Sequence, residues 1–277
     1  MMLPARHSAG YRTFYSKGES LMAHTIALAG KGGVGKTTIS GMLIEYLCEK
    51  RGGPVLAVDA DANSNLNEVL GVTVEETLGD IREDIAQAEL AAVSPIPTGM
   101  TKADYAEMRF SDALVEADDY DLLVMGRTQG KGCYCFVNGL LTTQVAKYAK
   151  NYRYIVVDNE AGLEHLSRGV LPQVDTIILV SDCSRRGVQA AGRLSEMIVD
   201  LKLGAKEVGL IVNRAPGGVI SDGVREEIEK YGMRLLGVVP HDDTVYEYDS
   251  EGKPSVTVPL DSPVKKAVRG IFDQLTL

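Results

Sequence analysis

The chain has 277 residues, with 29 Lys and Arg against 38 Asp and Glu, a net charge of −9, and 45% hydrophobic residues. This is a globular balance that excludes a disordered chain or a fibrous rod, and the acidic excess argues against sequence-independent nucleic-acid binding. Four cysteines are too few for a disulfide scaffold, and no run approaches the roughly 20 apolar residues of a membrane span, so a cytoplasmic protein is expected.

Residues 1–21 show neither helical nor strand periodicity and carry Arg6, Arg12 and Lys17 against one acid, Glu19. They read as a disordered extension, a tag or a start placed too early, with the folded domain expected over 22–277. From there apolar, β-rich runs fall at Thr25–Ala29, Val55–Val58, Leu122–Met125, Tyr154–Val157, Thr176–Val180, Val208–Val212 and Leu235–Val239. Most are continuous, as in parallel strands covered on both faces. Helical patterns lie between or after them at Lys36–Lys50, Val74–Ala91, Gly187–Leu201, Val219–Tyr231 and Pro263–Leu275, and Ser94–Asp104 reads as a loop excursion. The alternation predicts one α/β domain, a mostly parallel central sheet with helices on both faces.

The first strand runs into Gly30-Lys31-Gly32-Gly33-Val34-Gly35-Lys36-Thr37-Thr38, which opens the first helix. This is the P-loop pattern in its required strand–loop–helix setting. Its glycines let successive N–H groups and the helix N-terminus converge on phosphate oxygens, with Lys36 reaching the β and γ phosphates and the Thr37 hydroxyl binding Mg²⁺. The fold expected is therefore that of a P-loop NTPase, with ATP and Mg²⁺ as ligands.

Two later strands end in carboxylates. Asp59 and Asp61 follow the second strand, and Asp158 ends Ile155-Val156-Val157, ahead of Asn159-Glu160-Ala161-Gly162. Acids at the C-terminal ends of parallel strands face the ligand crevice. Asp59 suits Mg²⁺ through water, Asp61 an attacking water and Asp158 a Walker B acid. Asp59 and Asp61 capping a loop is the alternative.

After the third strand comes Arg127-Thr128-Gln129-Gly130-Lys131-Gly132-Cys133-Tyr134-Cys135-Phe136. Two thiolates cannot complete a tetrahedral site, but an isologous dimer doubles two ligands to four. On spacing alone a shared metal site, a redox pair and two small half-buried residues stay open. Cys48 and Cys183 read as small apolar core residues.

The KGGVGKTT loop resembles the deviant Walker A class, which includes division-site and partition ATPases, arsenite-pump ATPases and nitrogenase iron protein. Together with C-Y-C and VVDNEAGLEHLSRG, it resembles the CooC family of accessory ATPases of nickel carbon monoxide dehydrogenase, and equally its relative AcsF, which serves acetyl-CoA synthase. The resemblance implies a homodimer that sandwiches ATP, with Lys31 reaching across it and Asp61 activating water. It implies Ni²⁺ or Zn²⁺ bound by Cys133 and Cys135 of both subunits, and carbon monoxide dehydrogenase or acetyl-CoA synthase as client. It also implies that Asn213 reads the adenine edge and that Pro240 and Asp242 flank the base. His165 is a structural histidine by preference, with nickel ligation in transit as the alternative. The apolar stripe of the last helix, Val264, Val268, Ile271, Phe272 and Leu275, is expected to pack on the sheet rather than on a membrane, with Lys265, Lys266 and Arg269 away from it. Two rival readings are a positioning ATPase of the division or partition type and an iron–sulfur reductase.

Overall fold

The computed structural model describes residues 23–61, 63–90, 96–127, 135–160, 162 and 173–277, with the backbone alone for 86–90 and 135–141. Among the described residues eight strands form one sheet: β1 (His24–Gly30), β2 (Val55–Ala60), β3 (Val115–Glu116), β4 (Tyr120–Val124), β5 (Tyr154–Asn159), β6 (Thr176–Asp182), β7 (Glu207–Ala215) and β8 (Leu235–Pro240). Their spatial order is β3-β4-β2-β5-β1-β6-β7-β8, parallel except for β3 on β4. Within the described residues this is the single α/β domain expected.

The strand runs are apolar throughout because alternate residues enter two different cores. In β1, Ala27 and Ala29 face one layer while Ile26 and Leu28 face the other. In β5, Ile155 and Val157 join the first, Tyr154 and Val156 the second. The first layer takes residues of helices Leu78–Leu90, Lys102–Ala113, Cys135–Ala149, Arg185–Asp200 and Asp222–Lys230. The second takes α1 (Lys36–Tyr46) and helices Leu66–Leu70 and Pro263–Phe272.

Several boundaries differ from the sequence reading, for local reasons. Helix Leu78–Leu90 starts later than Val74, because Thr77 and Asp80 cap it reciprocally: the Thr77 N–H donates to Asp80 at 2.9 Å and the Asp80 N–H to the Thr77 hydroxyl at 3.2 Å. The expected loop Ser94–Asp104 ends in a second such box, Thr101 with Asp104, which starts helix Lys102–Ala113 inside it. Helix Asp243–Ser250 follows β8, capped by the Asp242 side chain, where the sequence reading placed no helix. The Lys36–Lys50 pattern is helical to Tyr46 and then widens into a π-turn over Leu47–Arg51.

The terminal helix packs as its stripe predicts, with Val264, Val268, Ile271 and Phe272 buried. Lys265 does not stay outside, however. It is 1% exposed, paired with Glu45 of α1, and donates to the Val256 carbonyl at 2.6 Å. The pairing ties the last helix to the helix that carries the P-loop. Among the described residues no helix is long and apolar enough to cross a membrane.

Candidate nucleotide site

The C-terminal ends of β1, β2, β5 and β7 converge on a cavity of about 310 Å³. The P-loop enters it from β1, and two glycines make that path possible. Gly30 lies beside β6 so closely that a Cβ there would collide with the Val180 carbonyl oxygen. Gly35, the N-cap of α1, has φ +90°, and a Cβ on it would collide with the Asn213 amide. Gly32, Gly33, Gly35, Lys36 and Thr37 line the cavity, Val34 and Thr38 flank that lining in the loop, and Lys31 is exposed at its start.

Lys36 is 7% exposed, and its Nζ donates to the Lys31 carbonyl at 3.1 Å. Burial lowers its pKa, and Asp158, Asp61 and Glu160, in that order, raise it. One cation thus faces three carboxylates from β2 and β5. Asp158 is buried and paired in register with Asp59 across the two strands. Burial raises its pKa, while hydrogen bonds from the Thr37 and Ser40 hydroxyls, the latter at 2.9 Å, and the charge of Lys36 lower it. Asp59 is fully buried and pushed up to about 7 by desolvation, although the N–H groups of Asp61 and Leu66 each donate to it at 3.0 Å. Both of its oxygens therefore brace the loop after β2. The Asp61 carboxylate lines the cavity and accepts from the Asn63 N–H at 2.8 Å. Thr37, Asp61 and Asp158 form a cluster of hard oxygen donors beside a lysine, a set chemically suited to Mg²⁺ with a phosphate chain.

Asn213 is buried at the end of β7. Its Nδ2 donates to the Val34 carbonyl at 2.9 Å, and its Oδ1 accepts from the Arg214 N–H at 2.9 Å. One N–H and one lone pair of the amide are left over, enough for a purine edge. Pro240 ends β8, and the following His241 N–H donates to the Ala215 carbonyl at 2.9 Å. Asp242 accepts from Thr244 N–H at 3.1 Å and Val264 N–H at 3.2 Å. Neither Pro240 nor Asp242 is in the cavity lining, so any base contact is peripheral to it. Arg214, Asn63, Asn65 and Glu160 also line the cavity, and the sequence assigned them no role. The signal available was their position on the crevice edge, Asn63, Asn65 and Glu160 just past strand ends and Arg214 next to the last residue of β7.

Cys133 and His165 lie outside the described residues, as does the Cys135 side chain; the backbone places Cys135 at the first turn of helix Cys135–Ala149. Residues 1–21 also lie outside them. Among the described residues no cluster of three or more His, Cys, Asp or Glu could hold a metal. Cys48 and Cys183 are half-buried at the edges of the two cores, donating to the Asp119 and Arg214 carbonyls at 3.4 and 3.5 Å. Burial pushes the Cys48 thiol up to about 12.

A parallel sheet whose first strand opens through a glycine-rich loop into α1, with Lys36 facing strand-end acids, defines a P-loop nucleotide-binding protein. The family described as "CobQ/CobB/MinD/ParA nucleotide binding domain" matches residues 25–256, and the chain belongs to it. It is 41% identical over 254 residues to the ATP-binding protein MJ0685 of Methanocaldococcus jannaschii, covering 90% of this chain and 97% of that one. It is 30% identical over 239 residues to the carbon monoxide dehydrogenase accessory protein CooC of Rhodospirillum rubrum, covering 82% and 87%. Among solved structures, the cell division ATPase MinD of Pyrococcus furiosus aligns with a TM-score of 0.65 and 25% identity over 91% of this chain and 98% of that one.

Proposed function

We propose that the chain is an ATP-hydrolysing maturation factor that supports nickel insertion into carbon monoxide dehydrogenase or acetyl-CoA synthase. The nucleotide half of this reading rests on Lys36 held among Asp158, Asp61 and Glu160 in a glycine-rich cradle. Lys36 holds the β and γ phosphates, Thr37 and Asp158 would hold Mg²⁺, Asp59, which braces the loop beside it, would reach the ion through water, and Asp61 orients the attacking water. Bound Mg²⁺ supplies charge neutralisation on the phosphate oxygens. Lys31, exposed at the start of the loop, is free to meet the nucleotide of a second copy.

The metal half is carried by one observation, the Cys133-Tyr134-Cys135 pair in a nucleotide-binding chain, and is supported by the likeness to CooC. Two copies bring four thiolates, the number a closed tetrahedral site needs, and nickel or zinc bound there is cargo. ATP binding closes the dimer over the metal; hydrolysis separates the half-sites and lowers affinity. Metal analysis with and without ATP, on the wild type and a Cys133→Ser/Cys135→Ser variant, tests this. Metal retained by the double variant contradicts it.

The likeness to the Pyrococcus MinD favours a second reading, a positioning ATPase. Such a protein would have no use for the cysteine pair, so its function would survive the double serine substitution. The buried stripe of helix Pro263–Phe272 speaks against that helix as a membrane tail.

A further inference from the structure

We infer that Arg214 is a positioning residue that sets the P-loop for phosphate before any nucleotide arrives, an inference that rests on the nucleotide site proposed above. Three observations converge on it. Arg214 is the last residue but one of β7, inside the register shift against β8 between Val212 and Ala215, with φ +57°, a left-handed conformation that favours glycine. Its side chain is exposed and lines the cavity, so no burial holds an arginine in this strained place. Ser64 and Lys202 share that conformation, Ser64 in the turn after β2, where its N–H donates to the Asp61 carbonyl, and Lys202 just past the end of helix Arg185–Asp200, where left-handed caps are routine.

The third observation is what Arg214 touches. Its Nη1 donates to the Gly33 carbonyl at 3.0 Å, while Asn213 Nδ2 donates to the next carbonyl, Val34, at 2.9 Å. Consecutive residues at the end of β7 therefore pin consecutive carbonyls of the P-loop. In a planar trans peptide the N–H points opposite to the C=O. Pinning those two carbonyls turns the N–H groups of Val34 and Gly35 away from β7, the orientation an anion cradle requires. Asn213 is locked by burial and by its own bond to the Arg214 N–H, so the guanidinium is the adjustable half of the clamp. It acts through the loop backbone, and its effect is confined to ligands that carry a β-phosphate.

The test is Arg214→Gly, which keeps the left-handed backbone and removes the clamp. In nucleotide-free protein, ¹⁵N relaxation order parameters at Val34 and Gly35 should fall from the rigid range of about 0.85 toward about 0.6. The melting temperature should stay within about 2 °C of wild type, because relieved strain offsets the lost bond and the freer unfolded chain. By calorimetry MgADP should bind about tenfold more weakly, the scale of one charge-assisted hydrogen bond, while AMP binds as it does to wild type. Unchanged order parameters, unchanged MgADP affinity, a matching loss for AMP, or a melting temperature lowered by much more than about 2 °C would each overturn the role. Wild-type protein that fails to bind MgADP would instead defeat the nucleotide reading beneath it.

Discussion

Three P-loop glycines separate what the fold needs from what the ligand needs, and alanine substitutions at them should give graded effects. At Gly30 a Cβ would collide with the Val180 carbonyl oxygen, a backbone atom of the neighbouring strand that cannot swing aside. Gly30 is the last β1 residue paired with β6, opposite Val180, so relief requires prying the two central strands apart. Overpacking of about 1–3 kcal/mol and one or two lost ladder bonds of about 1 kcal/mol each give roughly 2–5 kcal/mol for Gly30→Ala. At Gly35 the obstacle is the Asn213 amide, which can move only by surrendering its bond to Val34. With φ +90°, an alanine there costs about 1–2 kcal/mol in conformation and about 1 kcal/mol for that bond, roughly 2–3 kcal/mol in all. Gly32 has open space where its Cβ would go, so Gly32→Ala should stay within about 0.5 kcal/mol. Urea unfolding of nucleotide-free protein reads all three. Gly32→Ala as damaging as Gly30→Ala, or Gly30→Ala without effect, would refute the account of how β1 hands the chain to the loop.

Lys36→Ala should abolish nucleotide binding and Asp61→Ala should keep binding but lose turnover; a phosphate-release assay with parallel calorimetry checks both. Lys265→Ala should destabilise by about 2–3 kcal/mol in urea, since it breaks the buried link to Glu45 and to the Val256 carbonyl, with Glu45 partly solvated. Asp59 gives a pH signature in the Mg²⁺-free protein. Its folded pKa, about 7, lies above the 3.8 of an ordinary aspartate, so the folded state holds the extra proton. Its contribution is therefore present below about pH 4 and is lost as pH rises through 7; Asp59→Asn should flatten that decline in denaturation midpoints measured across the window.

The parts of this fold that could be read from the sequence are those with long, uniform signals. The seven apolar runs became seven strands because both sheet faces are covered, so no alternation obscured them. The P-loop was legible because its chemistry lies in consecutive residues. Strand β3 escaped because two residues carry no period. Helix Lys102–Ala113 was hidden behind Pro95, Pro97 and Gly99, although its Thr101–Asp104 box was present as a start signal. Lys265 defied its charge because its partner, Glu45, lies far away in sequence on α1. Arg214 was invisible for the same reason: its backbone conformation and its reach to Gly33 depend on how the end of β7 meets the loop after β1 across the intervening β6, which no local pattern encodes.

The central claim is that two copies of this chain enclose one metal ion between their cysteine pairs under the control of ATP. Sedimentation of anaerobically purified protein with nickel, together with metal quantification on the same fractions, addresses it directly. One metal per two chains, sedimenting as a dimer and lost in the Cys133→Ser/Cys135→Ser variant, is the predicted result. One metal per monomer, or a double serine variant that binds nickel as wild type does, would contradict it.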